Sequence, residues 1–443
     1  MSNSHVFWRA RARALRRLAA APAHVALGLA AFAAAPAAFA QEQAQPAQAL
    51  TLDDAIARAI DADPGLRAAQ AGVDAALGTR RQARARPNPE LDVEVENFNG
   101  PGDLRGFDGA ESTFSLSQEI EIGGRRNARI RLAERELHGA ELDRVLRGLD
   151  LVRDVQTAYF EALAAEELVL IERERLSTAQ ALNASVARRV AAARDPLMAG
   201  ARAEAGVAEA RIALTRAQSE AATARARLAS FFGGDTGFAL IPADFALPRA
   251  ADHDHAAAID GLPDITRLAA ERDRANATAA LERSMSYQNP NLSLGYRRFE
   301  DRDGDGALVA GFSIPLGIFD RNQGAVARAR AEERRAELEL EAGRRNIARE
   351  FAALQRAIET DAEAVRATEE DVIPQAERAL SLAREGYDRG AFSYLDVLEA
   401  QRALSDARQR RIEALRSYHS NEAALDRLTA RFAEIVPGQE IHQ

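Results

Sequence analysis

Residues 127–190 read NARIRLAERELHGAELDRVLRGLDLVRDVQTAYFEALAAEELVLIERERLSTAQALNASVARRV. Large apolar residues recur there at Leu142, Val145, Leu149, Val152, Val155, Tyr159 and Leu163, in steps of three and four. That spacing places them on one face of an α-helix. No proline interrupts the run, and Arg, Glu, Ala and Gln, all good helix formers, fill the gaps. At 1.5 Å per residue the helix is about 90 Å long, several times a usual globular helix. A helix of that length must lie in a coiled coil or line something long. A second run, Gln323 to Arg384, has a similar pattern and is interrupted by Pro374, which should kink or break it.

Working outward, two alternating segments precede each long run. Glu90-Leu91-Asp92-Val93-Glu94-Val95-Glu96 alternates acid and apolar residue strictly, the period of a strand with one wet and one apolar face. A loop rich in Gly, Pro and Asp follows, and then Phe114, Leu116 and Ile120 alternate with polar residues. Leu292, Leu294 and Tyr296 mark a third strand, and Leu308, Ala310, Phe312, Ile314 and Leu316 a fourth. Asn289-Pro290-Asn291-Leu292 echoes Asn88-Pro89-Glu90-Leu91 at an offset of 201, and Phe312-Ser313-Ile314 echoes Phe114-Ser115-Leu116 at 198. Such echoes imply two internal repeats.

The expected organisation is therefore a signal peptide over 1–40 and a first repeat over 41–240. That repeat holds a helix, a hairpin at about 90–121 and a long helix pair at about 127–232. An inter-repeat linker covers 241–263. A second repeat covers 264–432, with a hairpin at about 291–316 and helices at about 323–432, and a tail covers 433–443. The signal peptide rests on Arg9, Arg11, Arg13, Arg16 and Arg17, an Ala/Leu-rich stretch, and Ala38-Phe39-Ala40 before Gln41. Its removal takes five arginines, moving the net charge from −9 to −14. The acidic balance argues against nucleic acid. No cysteine is present, so disulfides, thiolate metal sites and a lipidated N-terminal cysteine are excluded.

Strands of nine to ten residues with one apolar face fit an outer-membrane barrel. Four strands cannot close one, and open edges are not tolerated in lipid, so several chains must share the barrel. Two chains give eight strands and an interior filled by side chains; three give twelve, with room for a lumen. Glu90, Asp92, Glu94, Glu96, Glu119 and Glu121 would then line the pore against Arg297 and favour cations.

Three stretches carry a resemblance. They are Ser117-Gln118-Glu119-Ile120-Glu121-Ile122-Gly123-Gly124-Arg125-Arg126, Pro315-Leu316-Gly317-Ile318-Phe319-Asp320-Arg321-Asn322-Gln323-Gly324, and residues 386–401, GYDRGAFSYLDVLEAQ. Together they resemble the TolC-like outer-membrane efflux family, and the first two are most similar to its heavy-metal cation branch, the outer-membrane subunits of cobalt–zinc–cadmium or copper export pumps. The resemblance implies a mainly α fold with a small transmembrane β part: a long α-helical coiled-coil barrel crossing the periplasm, and a twelve-stranded β-barrel shared by a homotrimer in outer-membrane lipid. It implies a periplasmic adaptor and an inner-membrane proton-driven (RND-type) pump as partners. It also implies that the turns at 193–196 and 388–393 form a periplasmic tip, which closes the resting tunnel and receives the adaptor. Asp388, Arg389, Gly390 and Ser393, with Arg194 and Asp195, are the candidate tip residues.

Other signals lead nowhere. Asp301-Arg302-Asp303-Gly304-Asp305-Gly306 matches half a calcium loop, but the twelfth position is Phe312 where an acid is required. Asp252-His253-Asp254-His255 lies in the linker, where mobile acids and histidines are common. Neither a cofactor site nor a catalytic constellation is expected. Two rivals remain open: a duct for organic compounds or secreted proteins, and a periplasmic coiled-coil adaptor without a pore.

Overall fold

The computed structural model describes residues 48–247 and 259–435. The expected signal segment 1–40, Asp252–His255 in the linker, and most of the tail lie outside the described residues.

Helix α1 (Leu52–Ala62) starts where Thr51 Oγ1 accepts the amide of Asp54, and it ends before Pro64, which opens α2 (Pro64–Ala83). The long run forms α3 (Arg125–Ala191), 67 residues without interruption. It returns through α4 (Leu197–Ser230), and α5 is Pro263–Ser284. The second long run forms α6 (Gln323–Ala367), then a π-helical turn over Thr368–Val372, then α7 (Ile373–Arg389). The π turn ends two residues before Pro374, whose missing N–H cannot serve the α-helical pattern. Helix α8 (Tyr394–Thr429) runs back.

Helix α3 is the spine: α1, α2, α4, α5 and α8 all pack along it. Leu149, Val152, Val155, Tyr159 and Leu163 are buried on it, whereas Leu142 and Val145 are half-buried. Around Val155 and Tyr159 gather Leu50, Ile56, Leu228, Phe238 and Leu415 from five other segments. Two of those segments pair as strands, β1 (Gln48–Leu50) and β4 (Phe238–Leu240), in parallel. Strand β4 lies in the last residues of the expected first repeat, just before the linker at 241–263, where no strand was expected. At three residues it is too short to show a period, and its partner lies about 190 residues away.

Strands β2 (Glu90–Glu96), β3 (Glu111–Glu119), β5 (Asn291–Phe299) and β6 (Gly306–Ser313) form one antiparallel sheet in the order β2-β3-β5-β6. Register aligns Leu91, Leu116, Leu294 and Ala310 in one row, and Val93, Phe114, Tyr296 and Leu308 in the next. Gly295 permits this packing. A Cβ there would lie 2.6 Å from the Phe114 carbonyl oxygen. The sheet does not close on itself, and β2 and β6 each have one free edge among the described residues.

Candidate functional site

Two regions hold the residues singled out above: the sheet and the turns at the far ends of the helix pairs.

The sheet is inside out by the standards of a protein in water. Its apolar rows are exposed, Leu308 by 82 % and Leu91 by 71 %, while Thr113 and Ser117 on the opposite face are only 6 % and 5 % exposed. Leaving such a side chain in water forgoes about 1.5–3 kcal/mol each. An apolar patch of this extent marks an interaction surface.

The polar face carries the acids. Glu96 lies 3.1 Å from Arg297, whose guanidinium also donates to Glu111 at 2.8 Å and to Thr113 Oγ1 at 2.9 Å. Asp92 accepts from Ser117 Oγ at 2.9 Å. Glu119 accepts from Asn289 Nδ2 at 2.6 Å. Glu90 and Glu94 have no ion-pair partner among the described residues. Glu121 lies past the end of β3, where Arg129 grips its carboxylate at 2.5 and 3.2 Å while also donating to the Ala83 and Ala85 carbonyls. Glu121 thus ties the sheet's exit to α2 and α3, and its side chain is only 8 % exposed.

At the helix turns, α7 ends at Gly390 with φ +82°, and the amide of Ala391 donates back to the Gly386 carbonyl at 2.8 Å. Phe392 folds over Gly386, where no Cβ would fit. Ser393 opens α8 through a capping box with Asp396. The hydrogen bonds from Ser393 hold the Asp396 carboxyl below the usual carboxylate range. Asp388 lies 3.4 Å from Ser185 Oγ, and exposed Arg389 pairs with Glu385 one turn earlier.

The first turn reverses through Ala193 at φ +55°, a left-handed backbone without glycine. Arg194 is exposed. Asp195 is not: Arg189 Nε and Nη2 each donate to its carboxylate at 3.0 Å, and the Tyr387 hydroxyl donates at 2.6 Å. Arg189 also donates to the Tyr387 carbonyl at 2.8 Å and lies over its ring, 4.6 Å from the centroid. Arg189 first, and then Tyr387, depress the Asp195 carboxyl. Burial first, and then the hydrogen bond to Asp195, raise the Tyr387 phenol. The two turns are therefore clasped by Arg189, Asp195 and Tyr387. Of these, sequence reasoning found only Asp195. Tyr387 stood inside the quoted Gly386–Gln401 stretch, but its partner 192 positions earlier left no local trace.

No group of three or more His, Cys, Asp or Glu side chains among the described residues is arranged to hold a metal ion. Among the described residues, no helix is long and apolar enough to cross a membrane.

A profile described as outer membrane efflux protein matches residues 55–234 and 256–431. The chain is 33 % identical over 398 residues to the cobalt-zinc-cadmium resistance protein CzcC of Cupriavidus metallidurans, spanning 89 % of this chain and 92 % of that one. It is 27 % identical over 351 residues to the pyoverdine export outer membrane protein OpmQ of Pseudomonas aeruginosa, spanning 77 % and 73 %. Its fold is similar to the crystal structure of the outer membrane protein VceC of Vibrio cholerae, with a TM-score of 0.70 at 21 % identity, covering 85 % of this chain and 95 % of that one.

Proposed function

The chain belongs to the outer membrane efflux protein family, and from that premise we propose that it is the outer-membrane exit duct of a three-part export pump for heavy-metal cations. The observation that carries the reading is the inverted sheet with two free edges. Apolar rows outward and polar rows inward suit lipid on one side and water on the other, and unpaired edges inside lipid must be closed by further strands. Three copies supply twelve strands, enough for an aqueous lumen. The two halves of the chain act as structural repeats, each sending one hairpin into that barrel and one helix pair into the periplasmic tunnel. The clasped turns form the tunnel's inner end, where an adaptor protein docks and an inner-membrane proton-driven pump delivers the cargo. Glu90, Asp92, Glu94, Glu96 and Glu119 hold the lumen negative, which raises the local concentration of cations. Glu121 supports the barrel's lower rim through Arg129.

Metal as cargo is favoured by the 33 % identity to a cobalt-zinc-cadmium resistance protein along nearly the whole chain. A second reading, a duct for organic compounds, is favoured by the 27 % identity to a pyoverdine export protein. A deletion strain separates them when challenged with zinc, cobalt, cadmium, nickel, copper and silver beside a panel of organic toxins. Hypersensitivity to metals alone is the expected result, and hypersensitivity to organic toxins alone would discard the metal cargo and keep the duct.

A further inference from the structure

The connection from β6 to α6 carries a surface that the duct itself does not use. The apolar face of β6 continues past the end of the strand, with Ile314 and Leu316 extending the alternation of Leu308, Ala310 and Phe312. Ile318 and Phe319 follow. Phe319 is 91 % exposed, Leu316 75 % and Ile318 62 %, on a segment with no regular secondary structure. Its backbone is sparsely paired: the Ile318 amide donates to the Leu316 carbonyl, the Gly317 carbonyl accepts from Arg321 Nε, and the Phe319 carbonyl accepts from Gln323 Nε2 at 3.3 Å. The matching exit from β3 is different. There the Ile120 amide donates to the Pro290 carbonyl and the Ile122 amide to Asn289 Oδ1.

Apolar side chains on an unsatisfied backbone fit neither water nor hydrocarbon. Water penalises the side chains, and hydrocarbon penalises the free amides and carbonyls. The boundary between lipid headgroups and acyl chains accommodates both, because side chains point into the oil while the backbone stays hydrated. Charge agrees with that position. Exposed Asp320, whose carboxylate accepts the Asn322 amide, and then exposed Arg321 follow the segment, and exposed Arg86 lies beyond the same end of the sheet, just before β2. Neither arginine has an acidic ion-pair partner among the described residues; Arg321 Nε donates to the Gly317 carbonyl, and its remaining N–H groups, with the Arg86 guanidinium, are available to phosphate.

We propose that Ile314–Phe319, with Arg321 and Arg86, is a membrane anchor seated in the headgroup boundary of the phospholipid leaflet on the helix side of the sheet. It rests on the lipid-facing reading of the sheet and adds a second, shallower contact to it. The anchor fixes how deep the sheet sits.

The sole tryptophan is Trp8, so Phe319→Trp and Leu308→Trp, each with Trp8→Phe, are single-tryptophan reporters. Each full chain is reconstituted into phosphatidylethanolamine–phosphatidylglycerol vesicles containing phosphatidylcholine brominated either near the headgroup or deep in the acyl chain. The expected result is that Phe319→Trp loses more emission to shallow than to deep bromines, while Leu308→Trp loses more to deep ones. Quenching of Leu308→Trp by lipid, with Phe319→Trp quenched only by aqueous iodide, overturns the anchor and leaves the lipid-facing sheet intact. A blue-shifted Phe319→Trp that no bromine quenches also overturns it, by placing the segment against another protein chain. If bromines quench neither reporter, the lipid-facing reading of the sheet fails as well.

Discussion

Asp195 shows how one carboxylate can couple two ends of a chain. Its depressed pKa means that the ionised form is stabilised by folding, chiefly through Arg189. The stabilisation is complete above the unfolded carboxylate value of about 3.9 and is lost as pH falls through the lower folded value. If the clasp restrains the tunnel's inner end, planar-bilayer conductance of the wild type stays flat from pH 7 down to about 4 and rises only below that. Asp195→Asn removes the charge and should conduct at the raised level at every pH. Tyr387→Phe, which leaves the Arg189 pair intact, should fall between the two. A wild-type level shared by both variants would remove the clasp from gating. Gly295 supplies a steric test. Gly295→Ala forces a Cβ against the Phe114 carbonyl and should cost about 1–3 kcal/mol, the usual range for overpacking, read as a lower midpoint in thermal unfolding.

At the scale of the element, α3 is stabilised by what it touches. Leu163 is almost fully buried in the cluster around Tyr159 and Leu415, so Leu163→Ala should destabilise the chain by about 2–5 kcal/mol. Leu170, two turns further along, is half exposed in the single chain. Leu170→Ala should fall within about 0.5 kcal/mol of wild type unless another subunit covers it. Thermal unfolding followed by circular dichroism, with and without chemical cross-linking between copies of the chain, measures both. Existence and length of α3 were legible because its apolar period runs unbroken without proline. The π turn at Thr368–Val372 was legible only as a disturbance near Pro374, since proline marks where the ladder fails and packing selects how the helix absorbs it. The parallel pair β1–β4 was not legible, because three residues show no period.

At the scale of the whole molecule, the inverted sheet makes an asymmetric prediction. Leu308→Arg places a cation on the apolar face and should cost about 2–4 kcal/mol if that position lies near the bilayer midplane, lowering the yield of the protein in outer-membrane fractions. Glu94→Arg places the same charge on the polar face and should leave the yield unchanged. Neutralising Glu90, Asp92, Glu94 and Glu96 together should move the reversal potential in a salt gradient toward lower cation preference, and an unmoved potential would assign those acids to wetting one face of a strand.

The alternation of Glu90–Glu96 and the three-four spacing of Leu149–Leu163 were enough to settle the mainly helical fold with amphipathic strands. Both are local properties, since a side chain's face follows from its position in a regular backbone. The quoted glycine-containing stretches were enough to suggest the family. Which residues meet across the fold was decided by tertiary structure alone. Arg189, Asp195 and Tyr387 come together because α3 and α7 bring their ends to one place, and Glu121 leaves the polar face because Arg129 binds it one turn into the helix. These contacts join positions far apart in the chain or across a change of element, where no period carries information. Their energy comes from geometry that exists only once the helices have packed.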